Sequence, residues 1–154
     1  MPAGLWYGVI FLFSAQTGSS SGALSDRLAY RILRCIWPAF FHLEEAERTE
    51  ILSVLTFCLR KSAHMAAYFL LAGLLMLAVR RGSPWRRARA VLLLCAVLAG
   101  LDEFHQTFVS GRSGQLRDVF IDLAGAGCFL LLWALFHQIT VRRTAARQKN
   151  SSCS

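Results

Sequence analysis

The side chains that could do chemistry fall into four short groups. Arg60-Lys61-Ser62-Ala63-His64 is followed by Tyr68, and Asp102-Glu103-Phe104-His105-Gln106 comes later. Gly111-Arg112 stands alone, and Asp118 is followed by Asp122 one helical turn on. Ser14 and Gln16 add an early polar pair at the end of an apolar run. Carboxylates beside histidine suit proton transfer, which makes His64, Asp102, Glu103 and His105 the catalytic candidates. Arginine grips phosphate or carboxylate with two parallel hydrogen bonds. Arg112, with Arg60 and Lys61, therefore suits an anion, and Gln16, Tyr68, Gln106, Asp118 and Asp122 complete the ligand-binding candidates. Four carboxylates and two histidines would also accept a divalent cation. Their spacing matches no dedicated metal motif such as HExxH, so neither metal ligands nor a cofactor are assigned. The bland alternative is an internal ion-pair network in which Lys61 and Arg112 neutralise the carboxylates. No nucleophile elbow, P-loop or dinucleotide fingerprint is present.

The elements that must position these groups are membrane helices. The chain has 154 residues, room for one domain. It is 55% apolar and only 17% charged, against about 25% charged in soluble domains. Long windows carry no charge, while arginines cluster in short ones. A net charge of +8 would suit nucleic acid if it formed one stripe. Instead the basic residues fall between and after the apolar spans, where lipid headgroups would meet them. A spanning helix needs about 20 mostly apolar residues. Four are expected: residues 5–17, short enough to borrow its flanks; 62–79; 88–109, which reaches spanning length only by including Asp102, Glu103, His105 and Gln106; and 118–141. Met1-Pro2-Ala3 lacks the basic start of a signal peptide, so the first span reads as retained.

Five arginines lie in residues 80–89 with no acid, and Arg142, Arg143, Arg147 and Lys149 follow the last span. By the positive-inside rule both segments face the cytoplasm, as do both termini. The expectation is an all-α polytopic bundle: one four-helix domain over residues 1–141 and a basic, disordered cytoplasmic tail over 142–154. Between the first two spans, Leu24, Leu28, Ile32 and Ile36 recur every four residues with Arg27, Arg31 and Arg34 between them. This predicts an amphipathic helix on the outer membrane surface, ended by Pro38. The stretch Glu44, Glu45, Glu47, Glu50 suits the N-terminus of a helix that runs on into the second span. Cys95 and Cys128 read as small hydrophobes, while Cys35 and Cys58 share the outer loop and would pair there if it is oxidised.

On this topology every polar group falls at the outer end of its span. Ionisable residues cost roughly 2.5–3.5 kcal/mol each at membrane depth, so their convergence calls for a use. Asp102 lies seven residues inside its span, about 10 Å at 1.5 Å per residue. Lys61, His64 and Tyr68 share one face; Asp102, His105 and Gln106 share another, with Glu103 at its edge; Asp118, Asp122 and Gly125 share a third. Gly125 and Gly127 would let a neighbouring helix approach closely. Gly111 and Gly114 would leave Arg112 in a flexible loop, free to fold over a ligand.

The four groups, in this order and spacing, together with Phe13-Ser14-Ala15-Gln16 and Gly125, resemble the VanZ-like family across residues 6–135. The resemblance implies a small bacterial cytoplasmic-membrane protein, some members being associated with resistance to glycopeptide antibiotics such as teicoplanin. It implies no mechanism, and a common family form carries Asn where Asp122 stands.

The leading expectation is a protein that binds an anionic or polyprenyl-linked membrane lipid, or an envelope precursor, at an outward-facing site. The alternatives are a membrane enzyme using acid–base chemistry on a phosphorylated lipid, and a purely structural bundle. A proton-coupled transporter would need polar groups in the cytoplasmic half, and residues 90–101 offer none except Cys95.

Overall fold

The computed structural model describes residues 2–151. They form five α-helices: α1 (Pro2–Ser14), α2 (Gly18–Ile36), α3 (Glu45–Ala78), α4 (Pro84–Gln106) and α5 (Leu116–Ser151), with a 3-10 turn, Pro38–His42, between α2 and α3. The punctuation is local. The Thr17 hydroxyl accepts from the Ser20 N–H to start α2, and Pro38, which cannot continue a helix, follows its end. Gly82 adopts φ +100°, a conformation that suits glycine, and turns the chain into α4. Ser83 caps that helix with Pro84 in its first turn.

Several boundaries differ from the expected ones. α3 runs unbroken from its acidic first turn for 34 residues, about 51 Å at 1.5 Å per residue. The expected second span therefore corresponds to its C-terminal half. α4 stops at Gln106, where the backbone tightens into turns through Thr107, Phe108 and Val109. α5 continues as helix to Ser151, so residues 142–151 of the expected disordered tail extend the last helix; residues 152–154 lie outside the described residues. Cys35 lies in the last turn of α2 and Cys58 lies within α3. Both are free thiols on separate helices, so the disulfide considered for a flexible loop does not form.

Glu45–Ala78 and the Leu116–Thr144 part of α5 are long and apolar enough to cross a membrane. α1 is apolar but has 13 residues. α4 carries Arg86, Arg87, Arg89, Asp102 and Glu103 within its 23.

The helices alternate in direction around α3. Lys61 meets Asp118, His64 faces Asp122 and Phe69 packs edge-on against Phe129, so α3 and α5 run parallel. α4 lies antiparallel to both, its start tied to the end of α3 by Arg87, which donates to the carbonyls of Met76 and Val79 at 2.7 and 2.6 Å. α1 runs opposite to α3. The Trp6 indole donates to Ala67 O at 2.9 Å and the Tyr7 hydroxyl to Leu98 O at 3.2 Å. Tyr68, Leu71, Val91, Cys95, Ala99 and Ala126 form the centre of the buried core. At Gly125 the approach is so close that a Cβ would lie 2.0 Å from Met65 O. Gly127 has open space beside it and plays no such part.

α2 is the predicted amphipathic helix, but its closest packing on the protein is not through the leucine stripe. Ala29 and Leu33 are buried, and Asp26 accepts from the Thr56 hydroxyl of α3 at 2.8 Å. Leu24, Leu28 and Ile36 remain exposed, with Ile32 half-buried. Leu24 and Leu28 nevertheless border the space between α1, α2 and α3, so this part of the stripe faces inward across a gap.

A cationic cavity backed by carboxylates

The end of α1, residues 60–68 of α3, the end of α4 and the start of α5 come together at one end of the bundle. The most buried polar groups belong to α4. Asp102, Glu103 and Gln106 are all buried, because the face that carries Val91, Cys95 and Ala99 ends in them. Ser14 donates to Asp102 Oδ2 at 2.7 Å. The Gln106 amide donates to Asp102 Oδ2 at 3.1 Å and to Glu103 Oε1 at 3.2 Å. The Gln115 backbone N–H donates to Glu103 Oε2 at 2.9 Å. Through its own carbonyl, Gln106 accepts from Arg112 Nη1 at 3.1 Å. Arg112 also donates to Phe13 O at 3.4 Å. One amide thus links a pair of carboxylates to a guanidinium without direct ion pairing.

The other charges pair separately. Lys61 is bound to Asp118, and its ammonium stands 5.3 Å over the Phe57 ring. His64 Nδ1 is 3.7 Å from Asp122 Oδ1, beyond hydrogen-bond length. The Tyr68 hydroxyl, Asp102 Oδ1 and both Asp122 oxygens are buried with no hydrogen-bond partner in the protein. His105 does not join the carboxylates. Its half-buried ring packs against Phe11 of α1, centroids 4.3 Å apart, which turns it out of the face expected from spacing.

Beside this network lies a cavity of about 320 Å³ between α1, α2, α3 and the Arg112 loop. Its polar end is made by Gln16, Arg60, His64 and Arg112, with Ser21 and Ser25 of α2. Trp6, Ile10, Leu28 and Ala67 continue the lining, mainly apolar, toward the middle of α1 and α3. No carboxylate lines it. Four of the expected site residues, Gln16, Arg60, His64 and Arg112, therefore meet at one cavity. Lys61, Tyr68, Asp102, Glu103, His105, Gln106, Asp118 and Asp122 do not line it. Sequence reasoning did not find Ser21 and Ser25. They recur four residues apart and so share a face, a pattern masked by the stronger leucine stripe on the same helix. Nor did it find the Gln115 backbone contact, which side-chain types do not signal.

The Arg112 loop is tied down rather than free. Gly18 N–H donates to Ser110 O at 3.2 Å. Gly111, at φ +73°, lies so close to Gly18 that a Cβ on Gly18 would be 2.1 Å from Gly111 O. A Cβ on Gly114 would lie 2.4 Å from Glu103 O. The glycines permit tight packing here, not movement. Among the described residues, no group of three His, Cys, Asp or Glu side chains is arranged to hold a metal ion.

Nothing among curated proteins or solved structures matches this chain. The VanZ/LLP1 family pattern, in contrast, matches residues 1–137. That match takes in all the helices that build the cavity and the carboxylate network, so the chain belongs to the VanZ/LLP1 family.

Proposed function

We propose that this protein crosses the bacterial cytoplasmic membrane four times, through α1, the C-terminal half of α3, α4 and α5. On this reading both termini are inside, and the cavity binds the anionic headgroup of a membrane lipid or lipid-linked envelope precursor from the outer side. The observation that carries the reading is the cavity lining: two arginines and a histidine at one end, apolar walls beyond, and no carboxylate. Ligand sites are characteristically apolar clefts with a few converging polar groups, and this one has the polarity of a lipid. The carboxylates stand behind the wall. There Asp118 neutralises Lys61, and Asp102 and Glu103 hold Arg112 in place through Gln106.

The enzyme reading draws on His64, which faces the cavity with Asp122 behind it. The 3.7 Å separation does not hold the imidazole as a triad carboxylate would, which favours binding without turnover. The matched test uses Arg112→Ala, Arg112→Lys and Arg86→Ala, each checked for normal membrane levels, with lipid retention read by mass spectrometry of the purified protein. Arg112→Ala should lose retained anionic lipid about tenfold and Arg112→Lys less, since Lys keeps the charge but not the fork. Arg86→Ala, at the opposite end of α4, should behave as wild type. Equal loss from Arg86→Ala, or none from either Arg112 variant, overturns the outer-site reading. The resistance role implied by the family is tested by expressing the protein in a susceptible host and measuring the inhibitory concentration of teicoplanin with and without Arg112→Ala.

A further inference from the structure

We infer that the headgroup is a phosphomonoester, a terminal phosphate on a lipid tail, rather than the phosphodiester of ordinary phospholipids. The inference rests on the proposed lipid-binding reading and deepens it by matching the headgroup to the donors that line the cavity. Of the cations near the cavity, Lys61 is already matched by Asp118. Arg60 and Arg112 both line the cavity, and neither forms an ion pair with a carboxylate among the described residues. Arg112 meets only neutral acceptors, the Gln106 amide and the Phe13 carbonyl.

The two guanidinium groups also feel each other. Burial first, and then the nearby Arg60, lower the proton affinity of Arg112 from the usual arginine value, against a smaller opposite pull from Asp102 and Glu103 behind the wall. Two like charges facing one space are held apart at a cost that an intervening anion offsets. A phosphodiester brings one negative charge; a phosphomonoester brings about 1.5–2 near neutral pH, with three strong acceptor oxygens. Three donors, Arg60, Arg112 and the half-buried His64, line the same end of the cavity; a monoester has a free oxygen for each of them, whereas a diester has only two. The serines of α2 and Gln16 complete a polar rim at the same end. The apolar walls from Trp6 to Ala67 supply a tail site, which a soluble phosphate would leave unused.

The experiment places the full chain in phosphatidylcholine nanodiscs doped with phosphatidic acid or phosphatidylglycerol of the same acyl chains. Bound lipid is read by native mass spectrometry. Phosphatidic acid should be retained about tenfold over phosphatidylglycerol, a 1.4 kcal/mol preference. That ratio should fall toward one in Arg60→Gln and in Arg112→Gln. Equal retention of both lipids, each above phosphatidylcholine, overturns the monoester inference and leaves an anion site standing. Enrichment of neither lipid overturns the anion reading as well. Selectivity that survives in both arginine variants overturns the assignment of these residues. A last arm adds glycerol phosphate in solution, which has the same head without the tail. It should not displace phosphatidic acid at equimolar amounts, and displacement would assign the cavity to a soluble phosphate instead of a lipid.

Discussion

Lys61 and Asp118 are 57 positions apart in the chain and meet with about a quarter of each side chain exposed. Each makes the other tolerable. Removing one leaves a charge in a poorly solvated place, whereas replacing both by apolar groups can be nearly neutral. Lys61→Met alone and Asp118→Leu alone should each lower stability in detergent by about 1–3 kcal/mol. The double variant should recover most of that loss in a thermal melt. Additive losses would mean the two do not depend on each other. The residue types and their common depth were legible in the sequence, because charge inside an apolar span is conspicuous. The pairing was not. Spacing put Asp102, Glu103, Asp118 and Asp122 all within reach of one lysine, and only the parallel packing of α3 on α5 selects Asp118. His105 shows the same limit. At 100° per residue it shares a face with Asp102, but α4 touches α1, α3 and α5, and its polar end divides between them.

Helices themselves were the most legible level, since apolar runs and their breaks are written in consecutive residues. Their contacts were less so. Gly125 and Gly127 look equivalent in sequence, yet only Gly125 lies against a neighbouring backbone, at Met65. Gly125→Ala should force α5 away from α3 and cost about 1–3 kcal/mol, as overpacking does. Gly127→Ala should be neutral, or stabilising by up to about 1 kcal/mol from helix propensity alone. The comparison is read from paired thermal melts of the purified variants, and equal effects would mean that the α3–α5 approach is not set at Gly125. α2 teaches a related lesson. Its leucine stripe was plain, but the stripe did not say which residues would be packed tightly and which would border a cavity, as Leu24 and Leu28 do. The tight packing falls to Ala29 and Leu33.

For the whole molecule, alternating helix directions bring the ends of α1 and α4, the start of α5 and the middle of α3 to one pole, while the arginines of residues 80–89 lie at the other. On the four-span reading the first pole faces outward. In a background lacking the five native cysteines, Ser113→Cys should react with an impermeant maleimide applied to intact cells, and Ser83→Cys should not. The reverse pattern would invert the protein and with it the proposed access of ligand to the cavity.

The Lys61–Asp118 bond also sets a timetable. Its acidic half is translated 57 residues after its basic half. At about 5–20 residues per second, that is roughly 3–11 s during which α3 has emerged without its counter-ion. Through this interval Lys61 must wait at the interface or be sheltered by the insertion machinery. Chains ended after residue 110 contain α1 to α4 but never receive Asp118. They should be cleared by membrane proteases in pulse-chase labelling faster than chains ended after residue 141. Adding Lys61→Met to the shorter chain should slow its loss, because the span no longer waits for a partner that does not come.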